Sequence, residues 1–145
     1  TLVDDLLASL ALTGIGGKRS SGYGKFELAE DPIDLDEQGV YPDDAALYKL
    51  LTCRQADWYM TLSVLCPAPG DVPLLQEGYY QLLQRNGFVN SPAYASAAMK
   101  RHGLHLLNAG SCFKTPIAGM IYDLSAGGNH PIYRYGKGLY VGVII

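Results

Sequence analysis

Lys18, Arg19 and Lys25, with the hydroxyls of Ser20 and Ser21, lie among five glycines, Gly14, Gly16, Gly17, Gly22 and Gly24, in the stretch LTGIGGKRSSGYGKFEL (12–28). The chemistry open to such a run is anion binding. Glycines let backbone N–H groups converge on a phosphate without a Cβ in the way. The cations add charge, the serines add hydroxyl donors suited to backbone phosphates, and Tyr23 offers a face on which a base can stack, worth about 1–3 kcal/mol. The same residues also fit a glycine-rich helix-to-strand turn with solvated lysines. Two nucleotide motifs are excluded. A P-loop needs glycine at position 12, where Leu12 stands, and Ser or Thr after Gly17–Lys18, where Arg19 stands; its strand-to-helix order is also reversed here. A dinucleotide fingerprint starting at Gly14 needs a third glycine at position 19.

Other reactive residues form weaker constellations. His102 and His105 are three apart in a strand-like segment, so their side chains point to opposite faces. With no nearby cysteine or carboxylate trio, this is poor metal geometry, and no metal is expected. A histidine general acid for RNA cleavage fits the imidazole pKa, but no partner acid or base is identifiable for His102, His105 or His130, so no catalytic residue is assigned. Cys53, Cys66 and Cys112 are odd in number and widely spaced, and read as buried free thiols. Asp34, Asp36 and Glu37 lack the spacing of a calcium loop and read as an acidic connector. Tyr133-Arg134-Tyr135 suits stacking plus phosphate contact, although in a strand the tyrosines share one face and Arg134 takes the other. Lys100-Arg101-His102 reads as an ordinary solvated basic surface. No cofactor is implied.

These residues need elements to position them. Thr1 and Asp4 predict a capping box opening a helix that carries Leu2, Val3, Leu6, Leu7 and Leu10 and stops near Leu12, before the glycines. Tyr23, Phe26 and Leu28 predict a strand leaving the loop. Residues 29–45, acidic and punctuated by prolines, read as a connector. Ala56–Leu65 is the clearest strand. Asp71 and Pro73 then predict the start of a helix carrying Leu74, Leu75, Tyr79, Leu82 and Leu83 as far as Gly87. Leu104–Lys114, Ile117–Leu124 and Ile132–Val143 read as three more strands, the last two joined by a Gly127–Gly128–Asn129 turn. The order predicts an α+β fold with helix on one face of an antiparallel sheet.

Length and charge narrow the class. A chain of 145 residues, 48% hydrophobic and 17% charged, is long and apolar enough to bury a core. The net charge of −3 excludes a surface that coats nucleic acid everywhere. It conceals an asymmetry, because residues 1–57 balance to −6 and residues 58–145 to +3. A polyanion would therefore be met by local patches. No apolar run approaches the ~18 residues of a membrane span, and with Asp4 and Asp5 and no basic start the first dozen residues are not expected to be a secretory leader. Without an initiator Met, and with helical pattern from Thr1 onward, the sequence reads as a fragment of a longer protein.

Gly14-Ile-Gly-Gly-Lys-Arg-Ser-Ser-Gly-Tyr-Gly-Lys-Phe resembles the glycine-rich signature of the CRISPR-associated RAMP proteins, which lies between a helix and the last strand of a ferredoxin-like domain. The wording Lys18 to Gly24 is most similar to subunit four of type III-A Csm effector complexes. Gly110-Ser111 before Phe113, Gly119 before Asp123, and His130 to Lys137 resemble the end of the same family. The resemblance implies a ferredoxin-like (RRM-like) RAMP module, with residues 1–28 ending a preceding module, 29–55 an acidic connector and 56–145 a second module. It implies a cytoplasmic, prokaryotic, non-catalytic RNA-binding scaffold in antiviral defence. Such a subunit holds the 5′ handle of the guide RNA and docks the large Cas10-type subunit beside the backbone RAMP subunits, with no membrane and no small-molecule substrate. The RNA-contacting residues it implies are Gly14, Gly16, Gly17, Lys18, Arg19, Ser20, Ser21, Gly22, Tyr23, Gly24, Lys25, Tyr133 and Arg134. A RAMP-type endoribonuclease that processes guide RNA with a histidine is the alternative, and a structural module whose basic loop meets protein carboxylates is a third.

Overall fold

A computed structural model describes residues 1–16, 18–89 and 91–145, with only the backbone of Ser20. The chain divides into two compact units, residues 1–45 and 46–145.

In the first unit, helix α1 spans Leu2–Thr13. The capping box expected of Thr1 and Asp4 is formed: Asp4 donates its N–H to the Thr1 hydroxyl at 3.4 Å, and its carboxylate accepts from the Thr1 amino group at 2.6 Å. No side chain of α1 is buried: Leu2, Leu6, Leu10 and Leu12 are exposed and Leu7 is half-buried. A 3-10 turn follows at Arg19–Ser21. Residues 25–28 are not a strand, contrary to the sequence pattern. Only Phe26 is tied back, donating to the Ala11 carbonyl at 3.4 Å, and a strand needs a neighbouring strand to satisfy its ladder. The acids of the connector shape turns. Asp36 accepts from the amides of Gln38 and Gly39, and Asp44 from those of Val40 and Tyr41.

Helix α2 covers Asp44–Thr52, within the stretch read as connector, because Ala45, Ala46, Leu47, Leu50 and Leu51 are strong helix formers behind an acidic first turn.

The second unit is α+β with antiparallel pairing, as the order of elements in the sequence predicts. Its strands are short: β1 Trp58–Thr61, β2 Leu82–Arg85, β3 Leu104–Leu107, β4 Cys112–Phe113, β5 Gly119–Asp123, β6 Tyr133–Lys137 and β7 Tyr140–Val143. They form a sheet of order β4-β1-β7 and the ribbons β2-β3 and β5-β6. Two expected strands are each divided. Leu104–Lys114 breaks at Gly110, whose φ of 85° turns the chain between β3 and β4, and Ile132–Val143 breaks at Gly138-Leu139.

The helix expected over 71–87 is corrected. Pro69–Leu75 is 3-10, and Leu82–Arg85 is a strand paired with Leu104–Leu107. Apolar residues at 74, 75, 79, 82 and 83 suit either period, and the ladder with β3 decides. Asp71 still holds its turn, accepting the N–H of Ala68 at 2.8 Å and of Gly119 at 3.1 Å.

Backbone bonds join the sheets. Leu65 and Leu107 exchange N–H···O bonds of 3.0 and 2.8 Å, while the next residue, Cys66, donates to Gly136 and accepts from Met120. Beneath this seam Leu65, Leu107, Phe113 and Ile117 form the core, with Leu75 and Tyr140 packed on it. Tyr140 donates its hydroxyl to the Ile117 carbonyl at 3.0 Å and accepts the Ile117 amide at 3.2 Å. Burial pushes its phenol up to about 12. Of the thiols only Cys66 is buried; Cys53 and Cys112 are half-buried. Among the described residues no helix is long and apolar enough to cross a membrane.

Candidate nucleic-acid interface

The glycine run is a closed loop. Gly14 ends α1 with φ of 81°, donating its N–H to the Leu10 carbonyl at 2.7 Å. Ile15 then donates to the Gly24 carbonyl at 2.9 Å, so the two ends of the run meet. Within it, Ser21 and Tyr23 donate to the Lys18 carbonyl and Gly22 to that of Arg19. The amides of Gly14, Ile15, Ser21, Gly22 and Tyr23 are thus consumed in folding the loop. What a ligand would meet at these positions is the side chains and the open surface above them.

The glycines divide into two kinds. A Cβ on Gly14 would lie 3.0–3.2 Å from the backbone of Tyr23 and Gly24, and one on Gly24 would strike the Ile15 carbonyl. These two permit closure. Gly16 and Gly22, with φ of 97° and 82°, have open space where a Cβ would sit, so a ligand backbone can approach there. Gly17 lies outside the described residues, as does the side chain of Ser20. Lys18, Arg19, Ser21, Tyr23 and Lys25 are all exposed, Tyr23 at 67%. Among the described residues no carboxylate lies within 4 Å of Lys18, Arg19 or Lys25. Among the described residues the arrangement is a hydrogen-bonded, cationic knuckle carrying one aromatic ring.

Tyr133 and Arg134 belong to the second unit. On β6 the rings of Tyr133 and Tyr135 face outward, 67% and 66% exposed, with Lys137 on the same face. Across the ribbon, Asp123 and Ile121 oppose the two tyrosines. Arg134 takes the other face, opposite Tyr122, and its buried Nε has no hydrogen-bond partner among the described residues. Its charge acts on Cys66, whose thiol is pushed up by burial and pulled down by Tyr122 and Arg134. Tyr122 donates to the Pro67 carbonyl at 2.6 Å, and burial foremost raises its phenol. The geometry therefore separates Tyr133 from Arg134.

His102 and His105 are exposed. The His130 ring is engaged at both nitrogens: Nδ1 lies 3.0 Å from the Pro131 carbonyl, and so carries the proton, while Nε2 accepts from the Ser91 hydroxyl at 3.0 Å. Asp123 is held below the usual carboxylate range, first by Ser125 and last by the charge of His102. Among the described residues no group of three or more His, Cys, Asp or Glu could hold a metal.

Tyr94 was not legible as an anchor. It is fully buried, its hydroxyl accepts the Ala126 amide at 2.6 Å, its carbonyl accepts the Asn129 amide at 2.8 Å, and its ring packs edge-on to His130 at 5.1 Å. It fastens the long segment after β2 to the β5–β6 turn. The only sequence signal was one aromatic isolated among Pro92, Ala93, Ala95 and Ser96.

The profile of a family described as the CRISPR Csm4 C-terminal domain matches residues 54–143. Two Mycobacterium tuberculosis strains have proteins named "CRISPR system Cms protein Csm4", each 33% identical over 131 residues, covering 90% of this chain and 39% of the relative. A Streptococcus thermophilus protein of the same name is 31% identical over 141 residues, covering 96% of this chain and 44% of its own. The chain spans less than half the length of these curated relatives.

Proposed function

Because the chain belongs to the CRISPR Csm4 C-terminal domain family, we propose that it serves in a Csm effector complex as a non-catalytic, RNA-binding scaffold. In this reading the glycine loop holds the 5′ handle of the guide RNA, and other faces dock the large Cas10-type subunit and the backbone RAMP subunits, in the prokaryotic cytoplasm. Residues 1–28 are read as the end of a preceding module.

The single observation that carries the reading is the closed loop with exposed cations. Its frame is locked by Ile15 and Gly24, so Lys18 and Arg19 are presented without internal carboxylate partners among the described residues. A preorganised cationic loop loses little entropy when a phosphate backbone arrives. Tyr23 adds a stacking face, and the open sides of Gly16 and Gly22 admit the strand.

The experiment is RNA affinity against salt concentration for the full-length parent in its assembled complex. Lys18→Ala with Arg19→Ala should weaken binding nearly uniformly across sequences and lower the salt slope by about 0.7 for each single-strand phosphate no longer neutralised. Unchanged affinity and slope would mean that the loop is only a turn. Incubation of the same parent with labelled guide precursor should give no cleavage, and specific cleavage abolished by His102→Ala, His105→Ala or His130→Ala would support the nuclease alternative instead.

A further inference from the structure

The ribbon β2–β3 extends beyond its regular ladder. Arg85 pairs with Leu104 at the end of the strands, and farther out Phe88 pairs with Lys100. Arg101 donates its amide to Gly87 at 3.0 Å, and Val89 to Met99 at 2.9 Å. Between the two pairs one side advances three residues and the other four, so the returning side carries one extra residue at Arg101–Gly103. Such a bulge bends the ribbon and re-aims its side chains. Here it turns the His102 amide onto the Leu124 carbonyl at 3.1 Å, fixing the ribbon's direction against the end of β5.

The charge of this extension is one-sided. Between Glu77 and Asp123 there is no acidic residue, while Arg85, Lys100, Arg101 and Lys114 are basic and His102 and His105 are exposed. Arg85, Lys100 and Arg101 gather at the bulged end, with the Arg101 guanidinium lying across Gly87. Phe88, 65% exposed, faces Lys100 across the isolated bridge and so projects from the same side of the ribbon. Phe88 and Lys100 share one face, while Arg101, opposite Gly87, takes the other; a bare aromatic ring beside an exposed lysine, on a narrow ribbon whose segment carries no acid, fits a strand that supplies both a flat base and a phosphate.

We infer that this bulged ribbon end, built from Arg85, Phe88, Lys100 and Arg101, is a second contact for single-stranded RNA, separate from the glycine loop. Phe88 stacks on a base, Lys100 on the same face meets the neighbouring phosphate, and Arg101 adds charge from the opposite face of the narrow ribbon. A nucleic acid is favoured over an acidic protein segment because a carboxylate-bearing partner would use the cations but not an exposed ring poised beside them.

The test uses the full-length parent in its assembled complex and a labelled single-stranded RNA containing the guide sequence. Lys100→Ala with Arg101→Ala should weaken binding by about tenfold at low salt and lower the salt slope by about 0.7 for each phosphate left without a cation. Phe88→Ala should weaken it by about 5- to 150-fold with the slope unchanged. Lys100→Glu, at an exposed position that keeps Arg101 on Gly87, guards against misfolding of the double variant and should weaken binding at least as much as Lys100→Ala. The proposed function fails separately. If Lys18→Ala with Arg19→Ala weakens RNA binding and none of the ribbon variants does, the loop reading stands and the ribbon inference falls; if only the ribbon variants weaken it, the reverse holds. RNA affinity and slope untouched by Lys100→Glu, with a lower yield of assembled complex, would make the ribbon a protein-docking surface and overturn the inference.

Discussion

The amide of Ile15 donates to the carbonyl of Gly24 at 2.9 Å, and the Ile15 carbonyl fills the space that a Cβ on Gly24 would need. Two residues nine apart thus close the loop by direct backbone approach. Gly24→Ala should break this closure, since the clash adds to about 1–2 kcal/mol of strain at its φ of 81°. Gly16→Ala meets open space and bears the φ strain alone. Hydrogen exchange of the Ile15 amide in the full-length parent reads the difference. Protection abolished in the first variant and kept in the second is the expected outcome; equal behaviour would refute the closure.

The two kinds of glycine also separate approach from charge. Gly22→Val places a branched side chain over the open side of the loop at a φ of 82°. It should weaken RNA binding while leaving the salt slope near that of the parent, because no cation is removed. Titrations at several salt concentrations distinguish this from the Lys18/Arg19 change, which lowers both. A slope that falls with Gly22→Val would show that the loop's cations had moved with it.

Much of the first unit's loop was legible because its signals are local. The Thr1–Asp4 capping box and the glycine stop at Gly14 depend on residues within a few positions. Long-range pairing was harder to see. Leu82–Arg85 became a strand because Leu104–Leu107 lies beside it, a partner about twenty residues away that no spacing of leucines announces. The strand expected over Tyr23–Leu28 failed for the converse reason, the lack of a ladder to join. Gly110 was visible, yet whether a glycine bends a strand or ends it depends on what the flanking segments pair with. For the candidate site, the exposure of the loop cations follows from local composition, and the outward placement of Tyr133 required knowing which face of β6 is covered.

Tyr94 predicts a stability effect within the second unit. Tyr94→Phe leaves the Ala126 amide without its 2.6 Å acceptor, costing about 1–3 kcal/mol. Tyr94→Ala removes the buried ring as well and should cost about 3–5 kcal/mol. Chemical denaturation of the full-length parent measures both, and a Phe variant as stable as the parent would refute the latch. RNA affinity at the glycine loop should not change in the Phe variant.

Tyr140 predicts an alkaline limit. Its native pKa, raised by burial to about 12 from an unfolded value near 10, means that the folded state holds the proton more tightly. The contribution is therefore full below about pH 10 and lost as pH rises through about 12. Tyr140→Phe should lower stability at neutral pH by about 0.5–1.5 kcal/mol through removal of the Ile117 bonds. It should also flatten the decline between about pH 10 and 12. A decline as steep in the Phe variant would assign it to other groups.

The central claim is that RNA lies against the glycine loop. An experimental structure of the assembled parent complex with its guide RNA tests that directly. The prediction is guide phosphates within about 4 Å of Lys18 or Arg19, with a base against Tyr23 and the strand passing the open sides of Gly16 and Gly22. Guide RNA bound elsewhere, with Lys18 and Arg19 paired to protein carboxylates, would contradict it.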